Sequence, residues 1–379
     1  MQEPIRVLQV LTSMSKGGAE AMIMNYYRNI DRSKVQFDFL LHRQESYAFD
    51  HEIENLGGKI HRLPPISITK YSNYKKELKK FFETHPEYNI VHSHLNALSF
   101  LILKYARKTC KVRIAHSHTS INPFSIFKLH KRNVHTKRTL KNFLYHQIRS
   151  FTSKYTTHKF ACGQKAGEWL YGKNKNFKII NNAIDTSMFI YDKKKSDSMK
   201  EELNVEDAYV IGHVGRFDNP KNHYFLIDVF HEILKKEPKA KLLLVGNGDL
   251  QDSIKTKVNK LGIRESVIFL GFRDDINSIL QAVDLFIFPS LYEGFPVTTI
   301  EAQAASVSII ASDTITKEIQ FTDLVHFMNL NQPESEWAEL ALKLRNNIKV
   351  NRLKIIAENG YDIKSCADDL TEFYIKASV

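Results

Sequence analysis

The stretch from Asp284 to Ser312, DLFIFPSLYEGFPVTTIEAQAASVSIIAS, constrains the fold more than any other part of the chain. The apolar run Leu285 to Phe288 has the length and composition of a strand buried on both faces. A loop follows from Leu291 to Pro296, then a helical stretch from Val297 to Ala305, and a second apolar run, Val307 to Ala311, reads as the next parallel strand. Pro296 suits the first helical position, where a missing N–H costs nothing. Glu293 lies in the loop at the carboxyl end of the first strand, and Glu301 lies eight residues on, about two turns beyond. Ligands of open α/β sheets sit outside the carboxyl ends of the strands. Both acids can therefore face one site, beside a helix N-terminus able to receive phosphate.

The rest of the chain alternates strands and helices in the same way, which is the grammar of a doubly wound α/β protein. The first strand is Ile5 to Leu11, and Gly17 and Gly18 then open a helix with Met22, Ile23, Tyr26 and Tyr27 on one stripe. Small residues at such a turn let backbone N–H groups approach a phosphate. Strands follow at Val35 to Leu41, Lys59 to Leu63 and Asn89 to His92, with helices near Ala48 to Leu56 and Tyr74 to Phe82 between them. Two His-Ser-His triplets, 92–94 and 116–118, end neighbouring strands, where α/β sites lie. Further strands are read at Lys159 to Cys162 and Ile179–Ile180, and the charged stretch DKKKSDSMKEEL from Asp192 reads as a domain linker.

A second run of the same grammar begins with the strand Tyr209 to Val214 and the loop GRFDNPKNH. Arg216 and Lys221 there precede a helix from Asn222 to Lys235, and two cations at the positive end of a helix make sense if an anion lies between them. The strand at Lys241 leads into Gly246-Asn-Gly248, but without the third glycine of a dinucleotide fingerprint. Strands from Val267 and at Leu324 to Met328, a helix from Trp337 to Ile348 and a helical tail from Arg352 to Lys376 complete the chain. Two domains are expected, residues 1–190 and 205–355.

Charge adds a partner. The net charge is +12, and between Tyr88 and Gly167 there is no Asp or Glu against fifteen Lys and Arg. Leu140, Phe143, Leu144 and Ile148 recur there at helical spacing with Lys137, Arg138, Lys141 and Arg149, which reads as a basic amphipathic helix for an anionic leaflet. No apolar run approaches the roughly 18 residues of a membrane span. The opening MQEPIRVLQVL is a strand, not a signal peptide. Three scattered cysteines, Cys110, Cys162 and Cys366, fit neither a disulfide framework nor a zinc site and suit a reducing cytoplasm.

The string EGFPVTTIE, set between two buried strands and followed by EAQA, resembles the E-x7-E motif of the retaining, nucleotide-sugar-dependent glycosyltransferases of family 4. The GGAE, GRFDNPKNH, GFRDDI and PSLYEGFP strings extend the resemblance over nearly the whole chain, towards the exopolysaccharide and capsule branch. IINNAIDTSMF, from Ile179, resembles the segment that closes the first domain in this family, with Ala183 in place of its glycine. The resemblance implies the GT-B architecture: two Rossmann-like domains facing across a cleft, with the C-terminal helix, about residues 360–379, returning to the first. It implies that the donor's phosphates meet Gly17, Gly18, Arg216 and Lys221, and that the Gly271–Phe272–Arg273 loop contacts the base through its backbone. Glu301 would accept from ribose hydroxyls. Glu293 would hold the hydroxyls of the donor sugar, and the backbone of Gly294, Phe295, Pro296 and Val297 would fix its far edge. His118, with His116 as the alternative, would hydrogen-bond to the sugar and stabilise positive charge at the anomeric carbon.

No cofactor and no metal are expected, since no Asp-x-Asp ends a strand and two cations would take a metal's place beside the diphosphate. The donor is expected to be a UDP-sugar. The acceptor is expected to be lipid-linked or a growing polysaccharide at the cytoplasmic face of the membrane, with the enzyme peripheral there. Ser306 and Ser308 replace a Gly and a Pro common in the family, with a packing consequence expected. A glycosidase would also use two carboxylates but has no need of Arg216 and Lys221. An epimerase shares the architecture but not the motif. A nucleotide-sugar-binding but inactive partner of another transferase would lack part of the Glu293, Glu301, Arg216 and Lys221 set. A basic nucleic-acid-binding protein would leave the second domain unexplained, and no nucleic acid is expected as a partner.

Overall fold

The computed structural model describes residues 3–15, 17–66, 71–118 and 149–378. The chain divides into two compact units, Met1–Ala183 with Ile363–Val379, and Ile184–Asp362. Each is built on one all-parallel sheet, as the buried apolar strands require.

The first unit carries a seven-stranded sheet in the order β3-β2-β1-β4-β5-β6-β7. Its strands are β1 (Ile5–Leu11), β2 (Val35–Leu41), β3 (Ile60–Arg62), β4 (Ile90–Ser93), β5 (Val112–Ser117), β6 (His158–Ala161) and β7 (Lys178–Ile179). Successive side chains of a strand point to opposite faces, so β1 seeds two cores. Val7 and Leu11 join the helices Gly18–Asn29 and Ile363–Ser378, and Leu8 and Val10 join the helices Tyr71–Thr84 and Ser99–Ala106. The C-terminal helix presents Ile363, Ala367, Leu370 and Tyr374 at steps of four and three, one apolar stripe, and all four are buried in the first of these cores. It thus belongs to the unit that holds the first half of the chain.

The second unit carries a six-stranded sheet in the order β10-β9-β8-β11-β12-β13. Here β8 is Val210–Val214, β9 Lys241–Val245, β10 Val267–Gly271, β11 Leu285–Phe288, β12 Ser308–Ser312 and β13 Val325–Met328. Counted from β8, this is the 3-2-1-4-5-6 order of the dinucleotide-binding fold, and its topological switch point lies between β8 and β11. Leu226, Ile227, Phe230 and Ile233 of the helix His223–Lys236 pack with Trp337 of the helix Glu334–Lys343 over one face.

Four local expectations are corrected. The charged stretch from Asp192 is not a linker but the helix Lys193–Glu202, because Asp192 caps it by accepting from the N–H groups of Lys194 and Lys195 and because Ser196 and Met199 are buried. The helix around Trp337 starts earlier and stops at Lys343, short of Ile348. The tail is two helices, Leu353–Glu358 and Ile363–Ser378, divided where Gly360 takes a left-handed φ of 78°. Pro296 is the residue before the helix Val297–Ala304, at the cap and not the first helical position. The basic amphipathic helix expected around residues 137–149 lies, apart from Arg149, outside the described residues. No helix of the described residues is long and apolar enough to cross a membrane.

Candidate active site

In the second unit the loops after β8 and β11 are tied together at the switch point. Leu291 N donates to Pro220 O at 2.8 Å, and Asn222, left-handed with φ 56°, reaches Pro289 O through Nδ2 at 3.2 Å. This fixes the two side chains that the sequence places on these loops. Lys221 Nζ meets Glu293 Oε1 at 2.8 Å and stands 4.7 Å from the centre of the Phe288 ring. Both partners are largely shielded, with 18% and 15% of their side-chain surface open. Arg216 differs: 84% of its side chain is exposed, and its nearest acid, Asp218 Oδ2, is 3.4 Å away. The two cations of this loop are therefore unequal, one committed to a carboxylate and one free to meet an anion.

Glu301 is half-buried in the helix Val297–Ala304, and among the described residues its carboxylate has no cation and no hydrogen-bond donor. Burial alone pushes its pKa up to about 7. A carboxyl group kept in this state is poised to accept from hydroxyl groups that bring their own hydrogens. Phe295 is anchored by stacking on Tyr361, ring centres 5.4 Å apart, so its ring is a packing element and its backbone is what it offers a ligand. At the end of β10, Gly271 has φ 64° and its carbonyl accepts from Gly246 N at 2.7 Å. Arg273 is held by Asp275 at 2.7 Å and by Glu202 at 3.2 Å, so its guanidinium is structural, while Phe272 is half exposed. The Gly246-Asn-Gly248 turn serves packing as well: a Cβ at Gly246 would sit 2.2 Å from Gly215 O, against the loop that carries Arg216.

Beneath the Arg216 loop lie two buried imidazoles. His213 Nδ1 bonds Ile287 O at 2.9 Å, and His223 stacks on Phe217 with ring centres 4.2 Å apart. Burial holds His213 well below the ordinary value, and burial with the nearby Lys221 charge takes His223 down to about 4.

In the first unit, Gly17 caps the helix Gly18–Asn29 in an extended conformation. A Cβ there would meet Glu20 Oε2 at 2.4 Å, whereas nothing lies within 4 Å of one at Gly18. Among the described residues Gly18 is thus open to an approaching group, whereas at Gly17 the flexible Glu20 carboxylate would first have to move. The triplet histidines converge at the carboxyl ends of β4 and β5. His94 Nδ1 lies 2.8 Å from His118 Nε2, and His92 Nε2 lies 3.1 Å from His116 Nδ1. His116 is fully buried, and His118 is half-buried with its backbone N–H on Asn96 Oδ1 at 2.8 Å. Of the two histidines left open by the sequence, His118 alone retains exposure. Burial takes it down to about 4, so it is neutral at pH 7. His92, His94 and His116 bring one nitrogen each within 4.8 Å of one another, but every nitrogen of the three except His116 Nε2 already has a hydrogen-bond partner.

Sequence reading missed Gln9 and Tyr374. Gln9 Oε1 lies 2.9 Å from His94 Nε2, and Tyr374 Oη lies 2.7 Å from His92 Nδ1. The signal was present in one case: Gln9 interrupts an otherwise apolar strand, and a buried amide there must have partners. Nothing local marks Tyr374, whose partners lie far away in sequence.

Residues 194–359 match the family model described as glycosyl transferases group 1. A putative glycosyltransferase of Bacillus subtilis, EpsF, is 32% identical over 97% of this chain and 96% of its own length. A UDP-Gal:α-D-GlcNAc-diphosphoundecaprenol α-1,3-galactosyltransferase of Escherichia coli is 25% identical over 81% of this chain and 78% of its own. Among solved structures, HepE of Anabaena in complex with UDP and glucose superposes with a TM-score of 0.78 at 18% identity, covering 98% of this chain and 99% of that one.

Proposed function

Since the chain belongs to the group 1 glycosyl transferases and is a glycosyltransferase, we propose that it is a retaining enzyme that moves a sugar from a UDP-sugar to a lipid-linked or growing polysaccharide acceptor at the cytoplasmic face of the membrane. The observation that carries this reading is the Lys221–Glu293 pair at the switch point of the second sheet, taken together with the exposed Arg216 of the loop after β8 and Glu301, unpartnered among the described residues. The UDP donor and the lipid-linked acceptor are supported by the names of the relatives and by the acid-free basic window between Tyr88 and Gly167.

In this reading the bond between the anomeric carbon and the β-phosphate oxygen breaks, and negative charge grows on that oxygen. Arg216 and Lys221 stabilise it, and such preorganised charge is commonly the largest catalytic contribution. Glu293, already neutralised by Lys221, accepts from the hydroxyls of the donor sugar, and Glu301 accepts from those of the ribose. His118, neutral at pH 7, hydrogen-bonds to the sugar. The acceptor hydroxyl attacks from the face the phosphate leaves, its proton passes to the leaving phosphate oxygen, and configuration is retained. No metal ion takes part.

The test is protection of the purified chain against thermal unfolding by UDP, GDP and ADP, in wild type and Arg216→Ala. A nucleotide at a hundred times its Kd adds about 2.7 kcal/mol of stability. UDP is expected to protect the wild type and not the variant. Protection by none of the three, with the chain folded, overturns the reading.

A further inference from the structure

Gln9, His92, His94, His116, His118 and Tyr374 form one unbranched line of hydrogen bonds through the first unit. From His118 Nε2 it runs to His94 Nδ1 at 2.8 Å, from His94 Nε2 to Gln9 Oε1 at 2.9 Å and from Gln9 Nε2 to Tyr374 Oη at 3.4 Å. From Tyr374 Oη it continues to His92 Nδ1 at 2.7 Å, and from His92 Nε2 to His116 Nδ1 at 3.1 Å. Burial depresses all four imidazoles, so each is neutral and carries one N–H and one lone pair. In such a line the direction of any one bond sets every other.

The bond between Tyr374 and His92 sets it. A phenol is a stronger acid than a neutral imidazole and donates to the ring nitrogen, and 2.7 Å is the short separation of an O–H donor. His92 therefore accepts on Nδ1 and donates from Nε2 to His116 Nδ1. His116 Nε2–H ends the line, buried and with no partner among the described residues. With its proton given to His92, the Tyr374 oxygen accepts from the Gln9 amide nitrogen, which turns the Gln9 carbonyl to His94. A carbonyl only accepts, so the proton of His94 is on Nε2 and its Nδ1 takes the Nε2–H of His118.

We propose that Gln9, His94 and Tyr374 are positioning residues that hold His118 in a single neutral tautomer, with its proton on Nε2 and Nδ1 left as an acceptor. The proposal rests on the reading of His118 as the histidine that contacts the sugar. That tautomer suits the role: Nδ1 accepts a hydrogen bond from a sugar hydroxyl, and its lone-pair side faces developing positive charge favourably. The opposite tautomer would offer an N–H and repel that charge. The C-terminal helix, far from the sugar in sequence, acts on it through one phenolic proton.

The experiment uses the full chain labelled with ¹⁵N-histidine at pH 7, where two-bond ¹H–¹⁵N couplings report which ring nitrogen carries the proton. His118 is assigned by its loss in His118→Asn. The wild type is expected to show His118 protonated on Nε2 alone. Gln9→Glu keeps that state, because a carboxylate also accepts from His94. Gln9→Leu and Tyr374→Phe give a mixture of both tautomers and a fall in kcat of about tenfold with donor KM unchanged. Tyr374→Phe removes one oxygen and serves if Gln9→Leu does not fold. His118 protonated on Nδ1 in the wild type, or on Nε2 alone in both folded variants, overturns the proposal. Wild-type turnover by His118→Ala overturns the role given to His118 and leaves the tautomer assignment standing, so the two failures are told apart.

Discussion

The two units place their functional groups alike, at the carboxyl ends of the strands beside the switch point, yet build them from opposite materials. The first uses imidazoles held neutral by burial and joined in one line of hydrogen bonds. The second uses formal charges that remain partly open and are unequally partnered, as in Lys221 on Glu293 and the exposed Arg216. A neutral line can orient a hydrogen bond but cannot neutralise a diphosphate. Exchangeable charges can neutralise one but hold no single geometry until the ligand arrives. The division of labour between orientation and charge is thus written into the burial of each set.

The comparison breaks if charge in the second unit matters less than orientation in the first. Lys221→Ala is expected to lower kcat/KM by about 10²–10³-fold. His118→Asn is expected to cost less, about ten- to a hundredfold. Rates of sugar transfer from the donor measure both, and the reverse order would overturn the contrast.

A second, smaller effect separates the units by pH. Burial holds His92, His94, His116 and His118 below the ordinary histidine value, so acid costs stability as pH falls from about 6.5 towards 4. His213 and His223 act in the same sense in the second unit. Glu301 acts against them: its folded pKa is raised from 4.5 to about 7, so its contribution is present below pH 4.5 and lost as pH rises through 7. Glu301→Gln removes only that contribution. The variant should therefore gain stability over wild type as pH rises from 5 to 8, by at most about 1.4 kcal/mol per pH unit, while its nucleotide affinity falls. Thermal unfolding at the two pH values, with and without UDP, reads both effects.

Two near-zero outcomes sharpen the picture. Ser306 takes a left-handed φ of 59° and its hydroxyl donates to Val350 O at 2.6 Å. Ser306→Gly trades backbone strain against that bond and should change stability by no more than about 1 kcal/mol in denaturant unfolding. Under the proposed function, in which Arg216 and Lys221 take a metal's place at the diphosphate, turnover in EDTA should equal turnover without it.

Most of the architecture was legible because apolar strands buried on both faces announce themselves as short continuous runs. β1, β2 and β11 fall on the residues read from the sequence. Lys221 and Glu293 were legible as chemistry but not as a pair, since their contact depends on a backbone bond between Leu291 and Pro220 that no local pattern encodes. The helix Lys193–Glu202 was misread because its polarity outweighed a single capping Asp192 and two buried side chains. Tyr374 stayed invisible because its partners, Gln9 and His92, lie far from it in the chain.

The second unit is spliced into the first. The chain enters it at Ile184 and leaves at Asp362, and these passages lie side by side: Ile184 N bonds Tyr361 O at 3.0 Å, and Thr186 Oγ1 bonds Asp362 Oδ1 at 2.8 Å. The sequence of the guest is therefore complete before the last helix of its host has been made. Until that helix arrives, Phe37 lacks the Tyr374 ring that packs on it, and His92 Nδ1 lacks its phenol partner. A chain that terminates early carries the whole second unit on an unfinished host, whose uncovered apolar face is open to proteolytic surveillance.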